Sequence, residues 1–115
     1  MKRGDVYKIK LITEKGSHVQ NGYRPVIVIS NKMHTKYAPT VTIIPTTSKL
    51  KKPWLPTHIK IQKGDIFPAD SQTLVEDITS IDKKRLTEEG EYLGTITDND
   101  LLDKIVEAVN IQVGE

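Results

Sequence analysis

Arg24 stands at the mouth of an apolar run, Arg24-Pro25-Val26-Ile27-Val28-Ile29-Ser30-Asn31, beside a glycine-containing loop. An arginine held there by a rigid strand is placed to bind an anion. A second group of candidates, Thr46, Thr47, Ser48 and Lys49, sits at the end of another apolar stretch. A guanidinium presents a planar fork of donors that matches phosphate oxygens, and a threonine hydroxyl donates to the same group. Such a pair would stabilise charge developing on phosphorus during transfer. The alternative is that Thr47 and Ser48 only satisfy a turn. Several other chemistries find no support. The chain has no glycine-rich loop leading to Lys-Ser/Thr, no Gly-x-Ser-x-Gly and no His-Glu-x-x-His. Its histidines, His18, His34 and His58, lack the spacing of a metal-binding pair on one helix face, and the acids are dispersed. No metal and no cofactor is expected.

The elements that must hold these residues follow from pattern. Val26 to Ile29 are consecutive β-branched residues, which lose χ1 freedom in a helix and pack well on a sheet. An uninterrupted apolar run predicts a central strand covered on both faces, with Pro25 at its first residue. Residues 4–12 alternate, with Tyr7, Ile9 and Leu11 opposed to Lys8 and Lys10, and predict a half-exposed strand. A long polar loop spans 13–23, and Asn31 to Ala38 is expected as a connection. Pro39 to Thr46 returns as a strand, and residues 49–56 form a basic, proline-bracketed loop holding the only tryptophan, Trp54. Further strands are expected over Thr57–Ile61, within Ser71–Ile81 as two short strands or one bent strand, and over Gly90–Thr97, with His58 in mid-strand. Asp82 should cap a helical turn over 81–86, and Asp70 and Ser71 should fix a turn. Thr97 and Asp100 approximate a capping box for a terminal helix with an apolar stripe of Leu101, Leu102, Ile105, Val106 and Val109. Short strands plus one terminal helix predict an α+β fold on a curled antiparallel sheet, forming one domain over residues 1–115.

Composition sets the partner class. The net charge of +2 conceals an acidic last nineteen residues, with Lys104 against Asp98, Asp100, Asp103, Glu107 and Glu115, so residues 1–96 carry +6. A basic body suits a polyanionic partner. The 28% charged content and the lack of any run approaching about 18 apolar residues predict a soluble protein without a membrane span. Met1-Lys2-Arg3-Gly4-Asp5 leads into a strand pattern with no apolar leader segment, and there is no cysteine. Both fit the reducing cytoplasm.

The chain resembles the MazF/PemK (Kid) family of toxin endoribonucleases from type II toxin–antitoxin pairs. The resemblance lies in Arg3-Gly4-Asp5-Val6-Tyr7, in Gly22-Tyr23-Arg24-Pro25-Val26-Ile27-Val28-Ile29-Ser30-Asn31, and in Pro39-Thr40-Val41 leading to Pro45-Thr46-Thr47-Ser48. It continues through Leu55-Pro56-Thr57-His58-Ile59, Asp70-Ser71 and Thr79-Ser80-Ile81-Asp82-Lys83-Lys84-Arg85-Leu86. Order and spacing agree from residue 3 to the terminal helix.

The resemblance implies a small SH3-like barrel with a C-terminal α-helix, a homodimer, and an acidic, partly disordered antitoxin segment as partner. It implies metal-independent, sequence-specific cleavage of single-stranded mRNA, giving 2′,3′-cyclic phosphate and 5′-OH ends and so inhibiting growth. Arg24 and Thr47 match the family's catalytic arginine and threonine. Since arginine is a poor base, Arg24 is assigned to the pentacoordinate phosphate and Thr47 to a non-bridging oxygen. His18, whose side-chain type suits proton transfer, and Glu76, which matches an acid used by some members, complete the catalytic candidates. RNA-binding candidates are Gln20, Asn21, Tyr23, Ser48, Lys49, Lys51, Lys52, Trp54, Asp77 and Thr79. Trp54 is expected either to stack on a base or to anchor its loop on the barrel.

Two departures bear on target preference. Gly16-Ser17-His18-Val19-Gln20-Asn21-Gly22 stands where relatives read Gly-Ser-Glu-Gln before Gly-x-Arg-Pro. Asp77 and Thr79 replace a glutamine and an arginine, losing a cation beside a polyanion. Two rival functions share the expected barrel: a non-catalytic inhibitor like the gyrase-poisoning relatives of this fold, and an RNA-binding module without chemistry.

Overall fold

The structure, a computed structural model, describes residues 1–11, 22–52 and 54–113. Strands β1 (Asp5–Leu11), β2 (Gly22–Val28), β3 (Thr40–Thr47), β4 (Lys60–Ile61), β5 (Ser71–Thr73), β6 (Thr79–Asp82) and β7 (Glu91–Thr95) are joined by helices α1 (Lys32–Tyr37), α2 (Lys83–Thr87) and α3 (Asn99–Gln112). The order in the antiparallel sheet is β4-β5-β3-β2-β1-β7, with β6 pairing the first half of β3. This is the expected α+β fold: a sheet curled into an SH3-like barrel, with a helix at the C-terminal end.

β2 is the predicted central strand, and its alternation explains why no residue in the run is polar. Val26 and Val28 enter one cluster with Ile9, Leu11, Val41, Ile43 and Leu86. Ile27 and Ile29 enter the other with Val6, Ile44, Phe67, Val75 and Ile105 of α3. Successive side chains of a strand point to opposite faces, so a strand covered on both sides needs apolar residues throughout. β1 follows the same rule at Val6, and so is less exposed than its alternation predicts.

Pro25 lies in the middle of β2 rather than at its start, opposite Lys8. In an antiparallel strand a residue's N–H and C=O face the same side. The Pro25 carbonyl accepts from Thr46 Oγ1 at 2.8 Å, so its missing donor faces β3 just beyond the Val26–Pro45 pair.

Three other expectations need correction. Residues 32–37 are a helix, capped by Asn31, whose side chain accepts from His34 N at 2.8 Å. The strand predicted over 57–61 shrinks to Lys60–Ile61, and His58 sits in the turn before it, its N–H bonded to Leu55 O. Of the two forms expected within 71–81, the structure has two short strands, β5 and β6, separated by a 3-10 turn, Val75–Asp77. The cap of α3 is Asp98, not Thr97, with its carboxylate accepting from Leu101 N at 3.2 Å. An aspartate there also complements the helix dipole. Asp82 caps α2 as expected, accepting from Lys84 N.

Curling brings β7 back along β1. The register shifts between Val6 and Tyr7, and Gly94, opposite Val6, adopts φ +144°. A Cβ at Gly94 would come within 2.9 Å of Ile66 Cγ1, so glycine allows the 64–69 segment to close over the barrel mouth.

Candidate functional site

β2 and β3 pair as Val26–Pro45, Ile27–Ile44 and Val28–Ile43. Extending that register by two residues places Arg24 opposite Thr47. The side chains meet there: Arg24 Nη1 donates to Thr47 Oγ1 at 3.2 Å. On the other side of β3, Thr47 pairs with Gln72 of β5. Arg24, Thr47 and Gln72 thus lie in one row across three strands.

Thr47 is 1% exposed, and its hydroxyl oxygen also accepts from Lys49 N at 3.1 Å. With donors on the oxygen from two directions, the hydroxyl proton is directed to a further acceptor. Arg24 is half-buried. Together they edge a cleft of about 540 Å³. One wall is Tyr23, Arg24, Pro25, Thr46, Thr47 and Ser48, and the other comes from residues 64–71 and from Lys8, Glu91 and Leu93. Lys8 is paired with both Pro25 and Glu91, which brings β7 into the site. The cleft is of mixed charge, with Lys8 and Arg24 against Asp65 and Glu91. Among the described residues, no group of three or more histidines and acids is arranged to hold a metal ion.

The predicted residues divide by position. Arg24, Thr47, Tyr23 and Ser48 line the cleft together, with Tyr23 68% exposed. Lys49, Lys51, Lys52 and Trp54 belong to the adjoining loop, where Trp54 is 75% exposed, so it does not anchor the loop on the barrel. Thr79 opens β6 opposite Ile43 and is exposed. His18, Gln20 and Asn21 lie outside the described residues.

Glu76 is not among the cleft-lining residues. In the 3-10 turn its carboxylate accepts from His58 Nε2 at 2.6 Å. Burial pushes the Glu76 carboxyl up, but the His58 hydrogen bond and charge, with backbone and Thr57 hydrogen bonds, bring it below the usual glutamate value. Its neighbour Asp77 is raised, first by burial and then by the Glu76 charge, against the opposing pull of Lys51 and His58.

Sequence reasoning missed the far wall of the cleft. Asp70 and Ser71 were its one visible signal: Asp70 accepts from Lys63 N, and Ser71 lines the cleft. Glu91 and Leu93 of β7 reach the site through the β1–β7 pairing, between residues more than 80 positions apart, and Ile66 reaches it by packing against Gly94 of the same strand; local pattern registers neither.

Comparison with known proteins adds to this geometry. The family described as PemK-like, MazF-like toxin of type II toxin–antitoxin system matches residues 2–113. Endoribonuclease EndoA of Bacillus subtilis strain 168 is 40% identical over 114 residues, 98% of this chain and 94% of that protein. Among solved structures, MazF (Form-I) from Deinococcus radiodurans superposes with a TM-score of 0.78 at 19% identity, covering 100% of this chain and 97% of that one. An endoribonuclease in complex with its cognate antitoxin, from a mycobacterial species, gives 0.74 at 24% identity, covering 99% and 95%. At those identities the two structures speak for the fold.

Proposed function

We infer the activity from one premise: the chain belongs to the PemK-like, MazF-like toxins of type II toxin–antitoxin systems. It is a toxin endoribonuclease that cleaves single-stranded RNA at a short sequence, without a metal. The observation that carries this reading is the Arg24–Thr47 hydrogen bond of 3.2 Å, set by strand register at the edge of the cleft. The similarity to Endoribonuclease EndoA supports it along nearly the whole chain.

In the reaction the ribose 2′-oxygen attacks the adjacent phosphorus and the bond to the 5′-oxygen breaks. The products are a 2′,3′-cyclic phosphate and a 5′-OH. Negative charge grows on the non-bridging oxygens as phosphorus becomes five-coordinate. The Arg24 guanidinium compensates that charge, and the Thr47 hydroxyl donates its proton to one of those oxygens. The 2′-OH gives up a proton and the 5′-oxygen gains one, with His18 the candidate for this transfer. Glu76, committed to His58, has a less direct part.

RNA reaches the cleft over the basic loop. Trp54 and Tyr23 offer faces for base stacking, and Lys49, Lys51 and Lys52 offer charge to phosphates. Ser48, Gln20, Asn21, Asp77 and Thr79 are the remaining candidates for reading the target. Residues 1–115 act as one toxin domain, working as a homodimer in the cytoplasm until an acidic antitoxin segment covers the basic surface. Among the described residues, no helix is long and apolar enough to cross a membrane.

The test is incubation of purified protein with long single-stranded RNA in EDTA, with the fragment ends mapped. Discrete cuts bearing 5′-OH and cyclic phosphate are expected, and Arg24→Ala should remove them in a folded protein. Uncut but tightly held RNA would replace the enzyme by a binding module. Uncut RNA with binding to a topoisomerase would replace it by a non-catalytic inhibitor. Cleavage that persists in Arg24→Ala would overturn the site assignment.

A further inference from the structure

We propose that His58, Gln72 and Glu76 form a clamp that holds residues 49–52 of the basic loop in register beside Thr47. They are then positioning residues for RNA binding. The proposal rests on the endoribonuclease reading and assigns these residues no contact with the reacting atoms.

The loop's side chains face solvent: Lys49, Leu50, Lys51, Lys52 and Trp54 are all exposed. Its backbone is gripped from below. The Gln72 side-chain amide pairs with the peptide groups of Lys51 as a strand would, its Oε1 accepting from Lys51 N at 3.2 Å and its Nε2 donating to Lys51 O at 3.1 Å. His58 Nδ1 lies 2.9 Å from Lys51 O and 3.2 Å from Lys52 O. The Gln72 Nε2 donor lies 3.1 Å from the same Nδ1, so this nitrogen sits among two loop carbonyls and the Gln72 amide. The Glu76 carboxylate accepts from Nε2 at 2.6 Å. His58 thus bridges the loop backbone and Gln72 to the 3-10 turn.

Two further observations make this more than a satisfied core histidine. Among the described residues Lys52 is the one non-glycine residue with positive φ, +45°. Such a conformation persists where the surroundings over-determine it, and here the Lys52 carbonyl is held by both His58 Nδ1 and Leu55 N. The clamp also connects directly to the cleft. Gln72 is the cross-strand neighbour of Thr47, and the Thr47 hydroxyl holds Lys49 N at the start of the same loop. Releasing the clamp would free the three lysines and Trp54 from their positions while leaving the Arg24–Thr47 pairing to β2 and β3.

The test compares His58→Gln and Glu76→Gln with the native protein on single-stranded RNA. Both should raise KM on the order of tenfold and leave kcat within about threefold, because a loop that binds ground and transition states alike acts on KM. The slope of log KM against log salt should flatten by up to about 2, since each lysine disengaged from single-stranded RNA removes about 0.7. Trp54, the only tryptophan, gives a readout without substrate: its fluorescence anisotropy should fall in both variants. Native KM, salt slope and anisotropy in folded variants would overturn the clamp. A fall in kcat at unchanged KM would also overturn it, placing Glu76 on the chemistry instead. If His58→Gln fails to fold, Glu76→Gln, which keeps an acceptor for Nε2, decides alone. Absence of cleavage by the native protein would sink the endoribonuclease reading, and the anisotropy comparison would then still decide the clamp.

Discussion

Arg24 with Thr47 and His58 with Glu76 are both polar pairs beside β3, yet they are built in opposite ways. The first meets at 3.2 Å on the edge of an open cleft. The second meets at 2.6 Å around a ring that is 6% exposed, with main-chain carbonyls on its other nitrogen. A pair that must receive a phosphate needs to stand where a phosphate can reach it. A pair that must hold a loop needs every donor spent inside the protein. Activity and position are thus separable here, and substitutions should move one without the other.

The largest effect expected falls on the open pair. Arg24→Ala should lower kcat/KM by about 10²–10³, the usual loss for one donor to a developing oxyanion. Its unfolding free energy in urea should move by less than about 1 kcal/mol, as for a half-buried residue outside the core. A steep loss of stability would make Arg24 a structural residue and erase the contrast.

Trp54→Ala comes next. Loss of one base-stacking platform should weaken RNA binding by about 1–3 kcal/mol in a filter-binding titration. Stability should stay within about 0.5 kcal/mol, because the ring is 75% exposed. Unchanged RNA affinity would remove Trp54 from the binding surface.

The His58–Glu76 pair should reveal itself through acid. The Glu76 carboxyl lies below its ordinary value in the folded protein, so its stabilising contribution is complete above the unfolded carboxylate range. That contribution drains away as pH falls through the folded value. Glu76→Gln should therefore flatten the acid limb of a stability-against-pH curve measured by thermal unfolding. An acid limb identical to the native one would show that the pair carries no net linkage.

The smallest effect is of opposite sign. Burial and the Glu76 charge raise Asp77, so ionised Asp77 costs stability at neutral pH and returns it on acidification. Asp77→Asn should raise stability at pH 7 by no more than about 0.5 kcal/mol. A loss instead would mean that the attraction of Lys51 and His58 outweighs burial.

How much could be read beforehand depended on how local the cause was. The β-branched run of β2, the Asp82 cap and the apolar stripe of α3 are set by neighbours within a few residues, and each was legible. The helix 32–37 was not, because Lys32 to Tyr37 buries only Thr35 and so shows no apolar period. Asn31 was its single available signal, a capping residue three positions before His34 N. His58 looked like a strand residue by its neighbours Thr57 and Ile59, whereas its place is decided by Lys51, Gln72 and Glu76. None of these is adjacent to it, and two of its bonds go to main-chain carbonyls that no sequence pattern marks. The far wall of the cleft was hidden for the same reason.

The sequence by itself determined the family, the central strand, the arginine at its mouth and the threonines at the end of β3. Side-chain chemistry and the apolar period are written residue by residue, so these needed no tertiary information. What the tertiary structure alone decided is register. A slip of one residue between β2 and β3 would turn Arg24 and Thr47 to opposite faces of the sheet. Their meeting at 3.2 Å, with Gln72 on the far side of Thr47, depends on core packing over both faces at once. That packing involves residues from Val6 to Ala108, and no local stretch contains it.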